Sequence, residues 1–350
     1  MAHTRATAFS LLCVLFACGE GGGELPIIAE IDEAPAERWS FVSVPESRCA
    51  NDTPTGFGFN RSSDGQNLFI YLEGGGACWD FVTCYAFGLA ARIEEPFGAA
   101  EFQRLEDSLN ESLFDRNDEA NPLKSYNLAF VPYCTGDVHA GATTTEHNGR
   151  ATEHRGYSNM SAYLDRLASE LSPQRVVLAG SSAGGYGTLF NLEQVRAAFP
   201  SARVDVINDG GPPLPPGYLR QELLDAWRSA WNLAANEPTG CVDCATDLTA
   251  YVTEAISGDQ TARISLLSYT QDPVIAQFHE LDTEGFQEGL DITRMLRFDG
   301  NPQAQVFIVD GTSHTMFADL EGPAVDETSA LEWLTLMLRD DPRWTSLPRL

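Results

Sequence analysis

The chain has little positive charge. It carries 22 Lys+Arg against 50 Asp+Glu, for a net charge of −28, and Lys124 is its only lysine. Nucleic-acid binding needs clustered bases to neutralise phosphates, and no basic stretch supplies them, so nucleic acid is excluded as a partner. Long apolar runs are missing too. The run from Ala8 to Ala17 is far shorter than the ~20 residues that cross a bilayer, and nothing after it is long enough either. What the chain does have is bulk. Its 350 residues, 43% hydrophobic, are ample for one large domain with a sizeable core.

The N-terminus reads as a targeting segment. His3 and Arg5 make a weak polar start, the apolar run follows, and Leu15-Phe16-Ala17-Cys18 leads into Gly19-Glu20-Gly21-Gly22-Gly23. That order resembles a bacterial lipobox, in which the cysteine carries the lipid and becomes the first residue. An ordinary signal peptide cut near the same place is the alternative. The expectation is a signal peptide at 1–17, lipidation at Cys18, a tether over 18–40 and one domain over 41–350. The exported chain is then anchored to the cell envelope or secreted, meets a membrane only through its lipid, and is a monomer.

Six cysteines remain beyond Cys18: Cys49, Cys78, Cys84, Cys134, Cys241 and Cys244. An even number in an exported chain reads as three disulfides, whose pairing cysteine counting leaves open. Cys241-x-x-Cys244 could be half a zinc site, but no second half follows at suitable spacing.

The stretch Arg175 to Gly187 organises the rest. An apolar run reads as a buried strand, a helical pattern begins at Ala183, and between them stands Gly180-Ser181-Ser182-Ala183-Gly184. This fits the G-x-S-x-G nucleophile elbow, with Ser182 rather than Ser181 in register. So sharp a turn crowds its neighbours, so the residues two before and two after the serine must lack a Cβ.

Upstream, residues 52–67 read as turns around a short hairpin. Leu68 to Leu72 is a strand running into Glu73-Gly74-Gly75-Gly76, where backbone N–H groups can approach a ligand closely. Residues 86–125 read as an acidic insertion, helical around Glu101 to Leu113. Tyr126 to Tyr133 is a strand. The stretch from Cys134 to Arg155 reads as a long loop holding His139, His147 and His154. Their spacing suits no single helix face, so the expectation there is no metal and solvated or hydrogen-bonded rings. Tyr157 to Leu171 is an amphipathic helix. Downstream, Val204 to Ile207 is a strand, and residues 212–262 form a lid-like excursion with Trp227 and Trp231. Strand Ile264 to Tyr269 ends at Asp272, strand Gln305 to Val309 ends near His314, and a helix closes the chain around Ala324 to Arg339. Strands alternating with helices imply a mainly parallel α/β sheet covered on both faces.

The order Ser182, Asp272, His314 is that of α/β-hydrolases. A serine hydroxyl becomes a nucleophile when a base takes its proton, and His314 can do so. Asp272 would hold the imidazole tautomer and stabilise the cation that forms. Asp259, Asp282 and Asp310 are rival acids, but only Asp272 stands directly beyond the penultimate strand. His279 is the rival base and lies too close to Asp272 in sequence.

Several motifs together resemble the pectin acetylesterase/Notum carboxylesterase family. They are Leu72-Glu-Gly-Gly-Gly with Cys78 and Cys84, Tyr133-Cys134-x-x-Asp137-Val-x-x-Gly141, His154-Arg155-Gly156, Gly180-x-Ser182-Ala-Gly-Gly185, Asp209-x-Gly211 and the Asp272 and His314 segments. The likeness runs from about Cys49 to Trp333. It implies an α/β-hydrolase fold, oxyanion N–H groups from Gly75, Gly76 and Ala183, and disulfides Cys49–Cys134, Cys78–Cys84 and Cys241–Cys244. It also implies a cofactor-free serine carboxylesterase that removes O-acyl groups, acetyl foremost, from a carbohydrate or related ester. A deacylase for longer chains, and a glycan-binding module on the same fold, are the alternatives.

Overall fold

A computed structural model describes residues 25–348 except 107, 108, 110 and 111. The expected signal peptide, Cys18 and the glycine tract lie outside the described residues.

Strands β1 (Ile27–Ile28), β2 (Trp39–Arg48), β3 (Pro54–Asn60), β4 (Leu68–Leu72) and β5 (Asn127–Val131) form one half of the main sheet. A separate hairpin, β6 (Thr143–His147) with β7 (Arg150–His154), stands apart from it. Strands β8 (Arg175–Ser181), β9 (Arg203–Asp209), β10 (Ile264–Tyr269) and β11 (Ala304–Val309) complete the main sheet. Its 9 strands run in the order β1-β2-β3-β5-β4-β8-β9-β10-β11. Every pairing from β5 to β11 is parallel, and β3 is antiparallel to both its neighbours. Helices α1 (Ala99–Glu106), α2 (Gly156–Glu170), α3 (Ala183–Ala198), α4 (Gln221–Trp231), α5 (Ala250–Gly258), α6 (Pro273–Phe278), α7 (Thr283–Arg297) and α8 (Ala330–Leu338) fill the connections.

Strand periodicity divides the core in two. Leu68, Ile70 and Leu72 of β4, with Val176 and Leu178 of β8, face the cluster built with α2 to α7. Phe69 of β4, with Val177 and Ala179 of β8, faces the opposite cluster, built with α1 and α8. Alternate residues of a strand point to opposite faces, so a sheet buried on both sides is apolar along its centre, as β4 is and as β8 is from Val176 to Ala179.

Several segments differ from the sequence expectation. The closing helix begins at Ala330 rather than Ala324, because Ala324 and Val325 pair with Ser329 and Thr328 in a short hairpin. Residues 25–40 are not a tether: Ile27 and Ile28 pair with Phe41 and Val42, while Leu25, Ile31, Ala34 and Trp39 are buried. Acidic residues scattered among those few apolar anchors hid them. The turns of 52–67 belong to a longer hairpin, because β2 and β3 pair from Trp39 opposite Asn60 up to Val44 opposite Thr55. The loop from Cys134 to Arg155 contains the hairpin β6–β7, whose Thr- and Glu-rich strands carry no apolar alternation. Between β9 and β10 the chain leaves the sheet and builds α4 and α5. Three disulfides, Cys49–Cys134, Cys78–Cys84 and Cys241–Cys244, tie the loops.

The buried N-terminal segment gives a direct test. Ile31→Ala should lower the free energy of unfolding in denaturant by about 2–4 kcal/mol, as core truncations do. A solvated linker would tolerate the change to within about 0.5 kcal/mol.

Candidate active site

Strands β4 and β8 lie side by side with Leu72 beside Gly180. After β4 the sheet continues to β5 on one side, and after β8 to β9 on the other. Their C-terminal ends therefore open a crevice, the place where open α/β sheets hold ligands. Ser182 stands there at φ 56° and ψ −118°. A residue with a Cβ at such an angle stores about 1–3 kcal/mol of strain. The flanking glycines are sterically required. A Cβ on Gly180 would lie 2.3 Å from Gly184 O, and one on Gly184 would lie 1.9 Å from Leu72 O.

The structure brings Ser182, His314 and Asp272 together. His314 Nε2 lies 2.7 Å from Ser182 Oγ, and its Nδ1 lies 2.6 Å from Asp272 Oδ2. Asp272 is fully buried, and its other oxygen accepts the N–H groups of Val274 and Ile275 at the start of α6. The rival acids are engaged elsewhere: Asp282 caps α7 through Gly285 N–H, Asp259 accepts from Thr261, and Asp310 accepts from Thr270. His279 reaches Tyr186 Oη at 3.0 Å, and burial pushes its pKa down to about 4.

Gly76 and Ala183 line the same cavity as Ser182; Gly75 does not. Ala183 is the first residue of α3, so its N–H has no carbonyl one turn earlier in the helix and lies at the positive end of the dipole. The glycine loop before Gly76 is pinned by groups whose role the sequence did not reveal. Glu73 takes a two-pronged bond from Arg92, at 2.6 and 2.7 Å, and accepts Tyr133 N–H at 2.9 Å. Tyr133 Oη donates to Gly76 O at 2.8 Å, and His139 Nε2 meets Glu73 O at 2.8 Å.

Asp209, a motif residue with no assigned task, ties the elbow to the histidine loop. Its buried carboxylate accepts Ser181 Oγ–H at 2.8 Å, Met316 N–H at 2.9 Å and Phe317 N–H at 3.0 Å. Burial pushes its pKa up to about 6. The other two histidines of the expected loop pair with each other, Nε2 to Nε2 at 3.0 Å, and His154 Nδ1 meets Thr135 O at 2.8 Å. His154 and the sulfurs of Cys78 and Cys84 lie within 4.8 Å of one another, but those sulfurs are bonded together and offer no thiolate.

The cavity at Ser182 holds about 20 Å³, walled by Tyr186, Trp227, Ile275, Phe278 and His279. Trp227 stacks on Trp231 at 5.3 Å, and Trp231 Nε1–H donates to Cys78 O at 2.9 Å. The excursion thus closes the cavity and braces the glycine loop at once.

Sheet order, strained elbow and the loop positions together define an α/β-hydrolase-like protein. The pectinacetylesterase family pattern matches residues 39–232, more than half of the chain. The chain belongs to the pectinacetylesterase family. It is similar to the palmitoleoyl-protein carboxylesterase NOTUM of Schmidtea mediterranea, at 28% identity over 45% of this chain and 30% of that protein. Human NOTUM is 27% identical over 47% of this chain and 34% of its own length. Pectin acetylesterase 5 of Arabidopsis thaliana is 26% identical over 53% of this chain and 44% of its own. The matched stretch therefore spans less than half the length of each of these relatives.

Two buried histidines set a pH dependence. His279 and His154 are held neutral, each with its pKa lowered from 6.5 to about 4 by desolvation. Between those values the unfolded chain binds protons that the folded chain refuses, so stability falls as pH falls, by about 3 kcal/mol per ring at the acid limit. Asp209 acts in the opposite sense between about 4 and 6, because its folded carboxyl keeps a proton that the unfolded one has lost. Urea unfolding of His279→Gln at neutral pH and near pH 4.5 should show a loss of stability shallower than wild type by about 2 kcal/mol. An equal loss in both proteins would contradict a neutral buried ring.

Proposed function

We propose that this protein is a carboxylic ester hydrolase that removes short O-acyl groups, acetyl foremost, from a neutral carbohydrate by a Ser-His-Asp mechanism. The continuous chain of short contacts from Asp272 through His314 to Ser182 carries this reading. His314 takes the Ser182 proton as Oγ attacks the ester carbonyl. The oxyanion that forms is met by the amides of Gly76 and Ala183, with Gly75 beside them. His314 then protonates the departing alcohol, which leaves an acyl-enzyme. Water, activated by the same imidazole, releases the acid.

Cavity size supports a short acyl group. A space of about 20 Å³ admits little more than a methyl-sized group, whereas benzene needs an apolar cavity of roughly 150 Å³. Charge supports a neutral polymer. No Lys or Arg lines this cavity or the groove beside it, and Arg150 and Arg155 are paired with Glu94 and Glu153.

Ser182→Ala should cut turnover of a chromogenic acetate ester by about 10⁴ to 10⁶. Ser181→Ala, which loses one of several bonds to Asp209, should keep most of the activity. Death of the Ser181 variant with survival of the Ser182 variant would overturn the nucleophile. A second expectation follows from the charge of −28. Initial rates on acetylated xylan should exceed those on acetylated, de-esterified pectin at about 10 mM NaCl, and the pectin rate should rise with salt as screening shortens from ~30 Å. A pectin preference at low salt that weakens as salt is added would contradict it.

A further inference from the structure

Phe278, the last residue of α6, stands between two hollows. On one side is the cavity at Ser182. On the other is an apolar groove of about 760 Å³ lined by Trp79, Val82, Phe87 and Leu89. Among the described residues, Phe278 is the only one that the two linings share. The tip of its ring reaches the glycine loop, since a Cβ on Gly76 would lie 3.3 Å from Cζ. The rest of the partition cannot be removed by trimming one side chain. Part of it is backbone, where a Cβ on Gly76 would lie 2.0 Å from Leu89 O. Part is a double layer of indoles, Trp79 against Trp227 at 5.9 Å. The helix that aims Phe278 is itself fixed, because Asp272 caps its first turn and Pro273 opens it. The groove beyond is open and strongly apolar at its rim, with Phe87 72% exposed and Val82 48% exposed.

We propose that Phe278 is the specificity-determining residue that limits acyl length, by sealing the catalytic cavity from the groove. This inference rests on the ester-hydrolase reading. With the ring present, an acyl chain beyond two or three carbons meets an aromatic wall next to the oxyanion loop. With the ring removed, cavity and groove become one apolar channel, and each added methylene gains a place out of water. One methylene in a hydrophobic pocket changes specificity by about 10-fold or more, so the effect should be large over several carbons.

The test is kcat/KM on 4-nitrophenyl acetate, butyrate, hexanoate and octanoate for wild type, Phe278→Ala and Phe278→Leu, with Ser182→Ala as the blank. Wild type should fall steeply from acetate to octanoate. Phe278→Ala should raise the octanoate-to-acetate ratio by at least about 30-fold, chiefly through gain on octanoate, with Phe278→Leu in between. The ratio cancels any general loss of active enzyme, and the leucine variant carries the test should the alanine variant fail to fold. An unchanged ratio, or a parallel loss on all four esters, overturns the inference and leaves the ester-hydrolase reading standing. A wild type that hydrolyses none of the esters above the Ser182→Ala blank overturns that reading, and this inference with it.

Discussion

The backbone of Ser182 is held at φ 56°, where a side chain is unwelcome, and the surrounding structure exists in large part to keep it there. Its N–H donates to Asp209 O at 2.7 Å, and its carbonyl accepts Tyr186 N–H at 3.2 Å. The first bond fixes the elbow to β9 and the second to its own helix. Gly184 lies against Leu72 O, so the elbow cannot relax without pushing β4 out of the sheet. Three separate elements must move for the strain to escape. That is why a cost of a few kcal/mol persists, and why the serine oxygen has a defined direction.

The two loops that meet Ser182 are each anchored by one carboxylate, partly buried at Glu73 and fully buried at Asp209, and the two anchors differ in chemistry. Glu73 faces a guanidinium, and its charge is neutralised by Arg92 in a planar two-pronged contact. Asp209 faces no cation at bonding distance among the described residues. It is satisfied by two backbone N–H groups and a hydroxyl, and desolvation still dominates, as its raised pKa records. The histidine loop is therefore tied to a carboxylate whose bonding partners are two amides and a hydroxyl. Slack there would pass directly to His314, because Met316 and Phe317 follow it by two and three residues.

Much of this was legible in the sequence, for reasons that also explain the gaps. Strand Leu68 to Leu72 was readable to the residue as a continuous apolar run, and strand Ile264 to Tyr269 as an apolar stretch broken only by small serines, each ending in polar punctuation. The elbow was readable because two glycines at fixed offsets have a steric cause. Strand β2 was missed because Trp39-Ser-Phe-Val-Ser-Val is followed by Pro45-Glu46-Ser47, so its apolar part is short and its far end is polar. The roles of Tyr133, His139 and Glu73 were invisible because they act through backbone carbonyls and amides more than 50 residues away, and local pattern carries no record of such partners. The disulfide pairing came from the family likeness, since six cysteines allow fifteen pairings.

Trp227 and Trp231 show why packing and function need not be alternatives. Trp231 is fully buried and would pass as ordinary core, yet its indole N–H bonds Cys78 O in the loop that carries Gly76. Trp227 stacks on it and forms the cavity wall. The helix that bears them is amphipathic in the usual way, burying Leu223, Leu224, Trp227, Ala230 and Trp231 on one side. Burial of that face places Trp227 in the cavity wall, and Tyr186, on the first turn of α3, lines it too. Side chains of three packed helices, α3, α4 and α6, thus wall the cavity. Packed interiors resist deformation, so such a wall takes its shape from the side chains that build it. The shape of the cavity beside Ser182 is therefore a property of core packing, and residues that do not line it, Trp231 first among them, bear on it.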